Sequence, residues 1–302
     1  MDGVRRIADA VLYEGYILWP YRRSALKNQR RFAFGTVDPG GFNQTECLLE
    51  EGEDAAVEVT VRFLHLVERQ LWRGDEPLDE VEIDGELHQS WEEAVERELR
   101  FDFDPRSPAR VPVDVAAGVT REELGDGCAM ERRWDALHGH IEASAARLRP
   151  RLLRLRVRTE NSSATAEFRS AHTLLTARGG GFVSITDPPP GLRAEGEACE
   201  NVGLWPVLAG EQGDRSTVLA SPIILPDHPQ IAPESPGDLF DATEIDQMLV
   251  LNILSLTDEE KREMRSADPR AREILERTES LSGEELMRLH GTIREFALAR
   301  RP

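Results

Sequence analysis

The sequence predicts a mainly β (α+β) fold, in which an antiparallel, sandwich-like β domain is followed by a C-terminal helical arm. Up to about residue 225, segments of alternating apolar and polar residues recur at short intervals between Gly-, Asp- and Pro-rich turns. After residue 240 the apolar spacing becomes helical, and no strand–helix alternation typical of a parallel sheet precedes it. We therefore predict a β-rich domain over 1–225, a proline-rich hinge over 226–240 and a helical arm over 241–302.

Composition limits the classes of function that the chain can have. Its 302 residues carry a formal net charge of −19, which excludes nucleic acid as a partner because a phosphate-binding surface needs an excess of Lys and Arg. No apolar run reaches the ~18 residues of a membrane helix. Cys47, Cys128 and Cys199 are widely separated and fit buried, reduced thiols better than a disulfide framework. We expect a cytoplasmic protein without membrane insertion.

The first half of the chain contains the clearest strand signals. Apolar residues alternate with polar ones from Val57 to His65, as in a half-buried strand. Val81 and Ile83 lead into Asp84-Gly85, a dipeptide typical of a two-residue hairpin turn. The next segment, 90–103, is ambiguous: its start has the form of a helical capping box, whereas its end alternates like a strand.

The second half adds further strands and one glycine-rich turn. Residues 153–157 alternate with arginines, which predicts a strand with one wet, basic face. The triple glycine at 179–181 is interpreted as a hairpin turn between strands over 171–175 and 182–185. A phosphate-binding loop is disfavoured because no helix start, Lys or Ser/Thr follows at the required spacing. Residues 202–208 and 217–220 complete the set of predicted strands.

The proline-rich segment joins the two unlike halves and is rigid, because each proline fixes φ and removes a backbone donor. Its five prolines are Pro222, Pro226, Pro229, Pro233 and Pro236. We expect Asp227 to accept backbone N–H bonds from His228 or Gln230. The Asp227-His228 pair is then structural. The alternative is a general base that activates Ser221 or Ser235.

Capping signals divide the tail into helices. Thr257 with Glu260 forms a capping box, Asp268 precedes Pro269 as a helix start, and residues 282–285 start a last helix. The last helix has one apolar stripe, which must pack on the β domain or on a partner. We expect it to pack on its own chain.

An aromatic and basic segment near the N-terminus is the candidate partner-binding site. It contains all three tyrosines and no acid between residues 15 and 37, and its members are Tyr13, Tyr16, Trp19, Tyr21, Arg22, Arg23, Lys27, Arg30 and Arg31. Aromatic residues and Arg are enriched at interface hot spots, which favours a docking face for a protein partner. Alternatively, the aromatics cover the edge of the core while the basic residues pair with acids of the same chain.

The candidate metal site is His138-Gly-His140-Ile-Glu142. On a strand this spacing places both imidazoles and the carboxylate on one face, where they could share a divalent metal such as Zn, Ni or Fe, with His228 as a distant ligand. A cupin has more residues before its Glu, so the pattern differs from that family. The alternative is a solvent-facing polar strand face.

Two stretches, Leu12 to Arg31 and Ser221 to Asp246 with the following Leu256 to Arg262, resemble an uncharacterised bacterial protein family. Its genes lie near actinobacterial-type uptake nickel-iron hydrogenases and their maturation factors. The resemblance implies an accessory or assembly role with a hydrogenase subunit or maturation factor as partner, and it implies no catalytic residues.

Two functions from different classes therefore stand as expectations. The first is a non-enzymatic accessory protein that acts through protein–protein contacts at the aromatic and basic segment. The second is a metal-binding protein or metal-dependent enzyme that uses His138, His140 and Glu142. The sequence assigns no catalytic residue to either.

Overall fold

A computed structural model describes residues 2–14, 16, 18–22, 34–230 and 246–282. Within these ranges the α-helices are α1 Asp2–Tyr13, α2 Arg193–Glu197, α3 Asp246–Leu254, α4 Asp258–Ala267 and α5 Pro269–Glu279, and Pro190–Leu192 forms a 3₁₀ turn. The strands are β1 Phe42–Arg73, β2 Glu76–Leu78, β3 Glu80–Ile83, β4 Glu86–Gln89, β5 Trp91–Phe103, β6 Ala109–Val115, β7 Gly118–Gly125, β8 Cys128–Trp134, β9 Leu137–Arg149, β10 Leu152–Asn161, β11 Arg169–Val183, β12 Trp205–Ala209 and β13 Thr217–Ser221. The predicted fold class, mainly antiparallel β with C-terminal helices, is confirmed.

The 32-residue strand β1 organises an 11-stranded sheet. One edge of β1 pairs first with β10, over 42–50, and then with β5, over 57–69. The other edge pairs with β11 over 48–64 and with β8 over 68–73. The strands β9 and β6 extend the sheet beyond β10, and β13 and β12 extend it beyond β11.

The triple glycine is not a hairpin turn, so that prediction is wrong. Residues 179–181 lie inside the continuous strand β11, where Gly180 and Gly181 pair with Glu51 and Glu50. A register shift on β1 between Glu51 and Ala56 forms a bulge opposite Gly179, which has a φ of 68°. A Cβ on Gly180 would lie 2.8 Å from the Glu50 carbonyl oxygen, so glycine here permits close backbone approach.

The ambiguous segment 90–103 folds as strand β5. Thirteen consecutive residues, Trp91 to Phe103, pair in register with Arg69 to Val57 of β1. The ladder bonds and the burial of Phe103 therefore outweigh the local capping signal, as tertiary context often does. The Asp84-Gly85 hairpin is confirmed, since both residues have positive φ values, 52° and 80°, between β3 and β4.

The main core lies on one face of the central strands. The side chains of Val57, Val59, Val61 and Phe63 point from β1 into an apolar cluster that also contains residues of β5, β6, β9, β10 and β11. Because β5 and β10 pair with successive parts of the same edge of β1, their shared core requires the sheet to fold over itself. This core contains the alternating residues that the sequence predicted to be buried.

Helices from both ends of the chain cover the opposite face. Helix α1, which the sequence did not predict, packs with α3, α4 and α5 in a cluster with Leu64 of β1. The Thr257–Glu260 capping box and the Asp268 cap before Pro269 are confirmed. The predicted last helix, which starts at 282–285, continues outside the described residues. No helix in the described ranges is long and apolar enough to cross a membrane.

Candidate functional site

The aromatic residues of the predicted docking face are packed inside the protein. Tyr13, Tyr16 and Tyr21 are buried, and Trp19 is half-buried against the same helical cluster. Their rings make edge-to-face contacts, Tyr13 with Tyr16 and Trp19 with Tyr21, with centroids 6.3 and 5.9 Å apart. In this arrangement the aromatics hold the N-terminal segment to the helices of the same chain.

The basic residues of that segment are described in part. Arg22 Nη1 lies 2.9 Å from Glu260 Oε1 at the start of α4, so this cation pairs with an acid of its own chain. Four further members of the predicted site lie outside the described residues: Arg23, Lys27, Arg30 and Arg31.

A buried ionic cluster connects the N-terminal helix to the sheet. The guanidinium of Arg62, only 2% exposed, lies between three carboxylates: Nη2 is 2.6 Å from Asp9 Oδ1 and 3.3 Å from Glu96 Oε2, and Nε is 3.4 Å from Glu98 Oε2. The hydroxyl of Tyr13 donates to Glu96 Oε1 at 2.8 Å. The cluster therefore fixes the position of α1 on β1 and β5.

The carboxyl of Glu96 is held ionised by these neighbours. Burial alone would raise its pKa, but hydrogen bonds from Tyr13 and Arg270 and the charges of Arg62 and Arg270 outweigh it, so the pKa is lowered. Arg270 Nη2 reaches Glu96 Oε1 at 2.8 Å, which extends the network to α5. For Tyr13, burial and the adjacent carboxylate raise the hydroxyl pKa well above its ordinary value.

His172 lies next to this cluster and is completely buried. His172, on β11, pairs in register with Arg62 on β1. Its Nδ1 is 3.1 Å from the carbonyl oxygen of Ser170, which can only accept a hydrogen bond. Nδ1 therefore donates, and Nε2 has no hydrogen-bond partner in the described part of the chain. Burial, helped by the Arg62 charge, lowers the pKa of His172 to about 3, so the imidazole is neutral at pH 7.

The predicted metal-site residues of β9 share one face, as expected from their spacing. His140 is the central residue: its Nε2 lies 3.3 Å from Glu142 Oε1 and 3.2 Å from Glu160 Oε2 on the neighbouring strand β10. On the other side of the ring, Arg110 Nη2 is 3.3 Å from Nδ1. Arg110 Nη1 also lies 3.6 Å from Glu142 Oε1, so the predicted carboxylate ligand already pairs with a guanidinium.

The other predicted ligands do not join His140. His138 Nδ1 contacts Asp114 Oδ1 of β6 at 2.9 Å, and His228 lies beside β12, which β13, β11, β1 and β10 separate from β9 in the sheet order. Among the residues that the structure describes, no group of three or more His, Cys, Asp or Glu could hold a metal ion. Side chains on one face of a strand can be predicted from spacing, whereas the arginine between them cannot.

Asp227 and His228 cover an exposed sheet edge. The amide N–H of Leu208, in the edge strand β12, donates to Asp227 Oδ1 at 2.8 Å, and the Leu208 carbonyl accepts from the amide of His228 at 2.7 Å. Ser184 Oγ donates to the second oxygen of Asp227 at 2.5 Å. The predicted bonds from His228 or Gln230 to this carboxylate are not formed. Instead, Asp227 and His228 bond to the Leu208 backbone in place of a partner strand, which protects the edge of β12 from pairing with another chain.

The proposed nucleophile Ser221 does not face this pair. It is fully buried and its hydroxyl donates to the carbonyl oxygen of Ile223 at 2.6 Å; Ser235 lies outside the described residues. Cys47 and Cys128 are buried free thiols, as predicted, whereas Cys199, also predicted to be buried, is half-buried; burial raises its pKa to about 11. Neither the Ser221 hydroxyl nor the Cys199 thiol is activated as a nucleophile, because the hydroxyl donates to a carbonyl oxygen and the pKa of the thiol is raised.

Four exposed apolar side chains lie on segments that backbone contacts connect around the start of β12. The backbone amide of Gln44, two residues after Phe42, donates to the Val202 carbonyl at 2.9 Å, and Val202 precedes the start of β12 at Trp205 by three residues. Trp205 pairs with Ser221, three residues before Ile224. We call Phe42, Val202, Trp205 and Ile224 the apolar patch; their exposures are 38%, 41%, 44% and 74%.

Sequence reasoning missed both the ionic cluster and the apolar patch. Arg62 alternates with core residues and therefore resembles a solvent-facing position, and the patch residues are distant in sequence. No protein-family model and no curated protein sequence matches the chain.

Proposed function

We propose that this chain is a non-enzymatic accessory protein that binds a partner protein through the apolar patch. The observation that carries the proposal is the concentration of exposed hydrophobics: four of the eight large exposed ones in the described ranges belong to this patch. Scattered single hydrophobics are normal on a protein surface, whereas a contiguous group marks an interaction site.

The residue types in the patch favour a protein partner. Trp205 provides a large, rigid apolar surface, and the guanidinium carbon of Arg158 lies 3.6 Å from the centroid of the Phe42 ring. Trp and Arg are the residue types that dominate interface hot spots, and an arginine stacked on a ring already holds its side chain in place for binding.

The patch replaces the aromatic and basic segment as the proposed contact surface. The aromatics of that segment are packed against the chain's own helices, so a partner would have to displace α3–α5 to reach them. The resemblance to the hydrogenase-associated family supports a partner from nickel-iron hydrogenase assembly, either a subunit or a maturation factor.

Affinity capture from the native host tests the proposal. We expect the tagged wild-type chain to retain a hydrogenase-pathway protein and the Trp205→Ser/Ile224→Ser variant to lose it. Val119→Ser is the matched control, because Val119 is 53% exposed on β7, outside the patch. Equal capture by all three proteins would overturn the patch, and capture of no hydrogenase-pathway protein by the wild type would overturn the partner.

A further inference from the structure

Two neighbouring side chains of the central sheet each contain one buried polar atom without a hydrogen-bond partner in the described part of the chain. These atoms are Arg62 Nη1 on β1 and His172 Nε2 on β11. Arg62 is 2% exposed and His172 is 0% exposed, so bulk solvent does not reach them. The large majority of buried polar atoms in folded proteins are hydrogen-bonded, which indicates that both atoms bind a group outside the described chain.

The two atoms belong to one site. Arg62 and His172 are register partners in the β1–β11 ladder, and directly opposed residues share a face with their Cβ atoms about 4.5–5.5 Å apart. The charge of Arg62 also lowers the pKa of His172, as expected for neighbours. Because each atom lacks a partner, the two do not bond to each other. A group that bridges side chains this close must be small.

The two atoms also require opposite hydrogen-bonding roles from the bridging group. Arg62 Nη1 can only donate, since a guanidinium has no acceptor. His172 Nδ1 donates to the Ser170 carbonyl oxygen, so Nε2 of the neutral ring is an acceptor. The bridging group must therefore accept a hydrogen bond from Arg62 and donate one to His172. A monatomic anion has no proton to donate, and a metal cation cannot accept.

The charges around the site are balanced, which disfavours an ionic occupant. Arg62 lies between three carboxylates, and two of these have a second arginine. Arg5 Nη1 lies 3.0 Å from Glu98 Oε2. Arg270 Nη2 lies 2.8 Å from Glu96 Oε1. Three guanidiniums thus match three carboxylates, and a further buried charge would have no counter-ion.

We propose that Arg62 and His172 bind an ordered internal water molecule that bridges β1 and β11. The water oxygen accepts from Arg62 Nη1, and one water hydrogen is donated to His172 Nε2. The second hydrogen is available to a carboxylate of the ionic cluster. Buried waters typically make about three such bonds and are costly to remove. The inference stands apart from the proposed function, because the apolar patch contains neither residue.

A high-resolution crystal structure of the wild-type chain is the direct test. We expect one well-ordered water within hydrogen-bond distance, roughly 2.7–3.2 Å, of both Arg62 Nη1 and His172 Nε2. A direct hydrogen bond between these two atoms would overturn the proposal. Ordered side chains with no electron density between them would overturn it as well.

Water magnetic relaxation dispersion, which counts long-lived internal waters, tests the site in solution. His172→Phe keeps a planar ring and removes the acceptor, so we expect the count to fall by one. His65→Phe is the matched control and should leave the count unchanged. His65 is 1% exposed, but its Nε2 lies 3.0 Å from the Asp135 carbonyl oxygen and its Nδ1 3.5 Å from Arg97 Nη2.

Two results would overturn the assignment of this water. One is an unchanged count in His172→Phe, and the other is an equal loss in His65→Phe. Near-ultraviolet circular dichroism checks that both variants keep the wild-type packing. If His172→Phe does not fold, the crystal structure of the wild type still decides whether the water is present.

Discussion

The two faces of β1 between Val57 and Val67 are both buried, but by different means. Phe63 stacks on Phe168 with ring centroids 4.6 Å apart, inside an entirely apolar core. Its neighbour Arg62 points the other way, into three carboxylates beneath α1. Apolar burial is non-directional, whereas charge-assisted contacts have a required geometry. The first face therefore supplies stability, and the second determines where the helices lie.

The apolar face should give the largest loss of stability. We expect Phe63→Ala to lower the free energy of unfolding by about 3–5 kcal/mol, because it removes a fully buried ring and leaves a cavity. This loss should be the same at pH 7 and pH 4, since Phe63 packs within a cluster of apolar side chains. Urea unfolding at both pH values measures it, and a loss that varies with pH would contradict the separation of the two faces.

The ionic face should respond differently to the same test. Arg62→Met keeps the apolar stem and removes the charge, and we expect it to cost about 3 kcal/mol at pH 7, since Asp9, Glu96 and Glu98 each lose one of their contacts with a cation. The lowered pKa of Glu96 stabilises the folded state above the ordinary pKa of 4.5, and this contribution is lost as pH falls through the lower folded value. The penalty of Arg62→Met should therefore shrink below pH 4.5. A penalty independent of pH would show that packing alone is lost.

His172 makes the stability of the ionic face depend on pH in a higher pH range than Glu96 does. The folded state keeps this imidazole neutral down to about pH 3, whereas in the unfolded state it is protonated below about pH 6.5. The contribution of neutral His172 to the free energy of unfolding is therefore fully present above pH 6.5 and decreases below it. The expected decrease between pH 8 and pH 5 is about 2 kcal/mol. His172→Gln should abolish this part of the pH dependence. An unchanged profile in that variant would mean that another group titrates.

A carboxylate outside both faces provides a reference for them. Asp227→Ala should lower the free energy of unfolding by about 1 kcal/mol, because it removes the acceptor for the Leu208 amide at the β12 edge. Asp227→Asn keeps an acceptor oxygen and should cost less. If Asp227→Ala cost as much as Arg62→Met, burial would not be what distinguishes the ionic face.

The exposed strand face should give the smallest effect. His138→Ala/His140→Ala is expected to change stability by about 0.5 kcal/mol or less, since exposed ion pairs contribute little. Elemental analysis of protein purified without a histidine tag should find the same metal content in variant and wild type, because Glu142 already pairs with Arg110. Stoichiometric metal that disappears in the variant would establish the metal-site alternative.

The sequence predicts what depends on local patterns. The alternation over 57–65, the Asp84-Gly85 hairpin and the Thr257 capping box all require only neighbouring residues, and all three are present. The length of β1 was not predicted, because Glu50, Glu51, Glu53 and Asp54 around Gly52 are residue types that are depleted in strands. A bulge on β1 accommodates them, and the glycines of β11 opposite it permit the close backbone approach.

The candidate sites were less accessible to prediction because they depend on contacts that are distant in sequence. The tyrosines near the N-terminus have the composition of an interface, and only the position of the C-terminal helices shows that they are packed within the chain. The apolar patch likewise combines residue 42 with residues 202–224. Composition identified residues that make contacts, but it did not identify the contact partner.

The length of β1 has a consequence for synthesis of the protein. Its first half pairs with β10 and β11, and β11 ends at Val183, which is 183 − 73 = 110 residues after the end of β1 at Arg73. At ~5–20 residues per second, a ribosome needs roughly 5–20 s to supply these partners. During that interval the strand is open to pairing with other nascent chains. The acidic residues around Gly52 divide it into shorter apolar runs, and like charges on neighbouring chains repel each other.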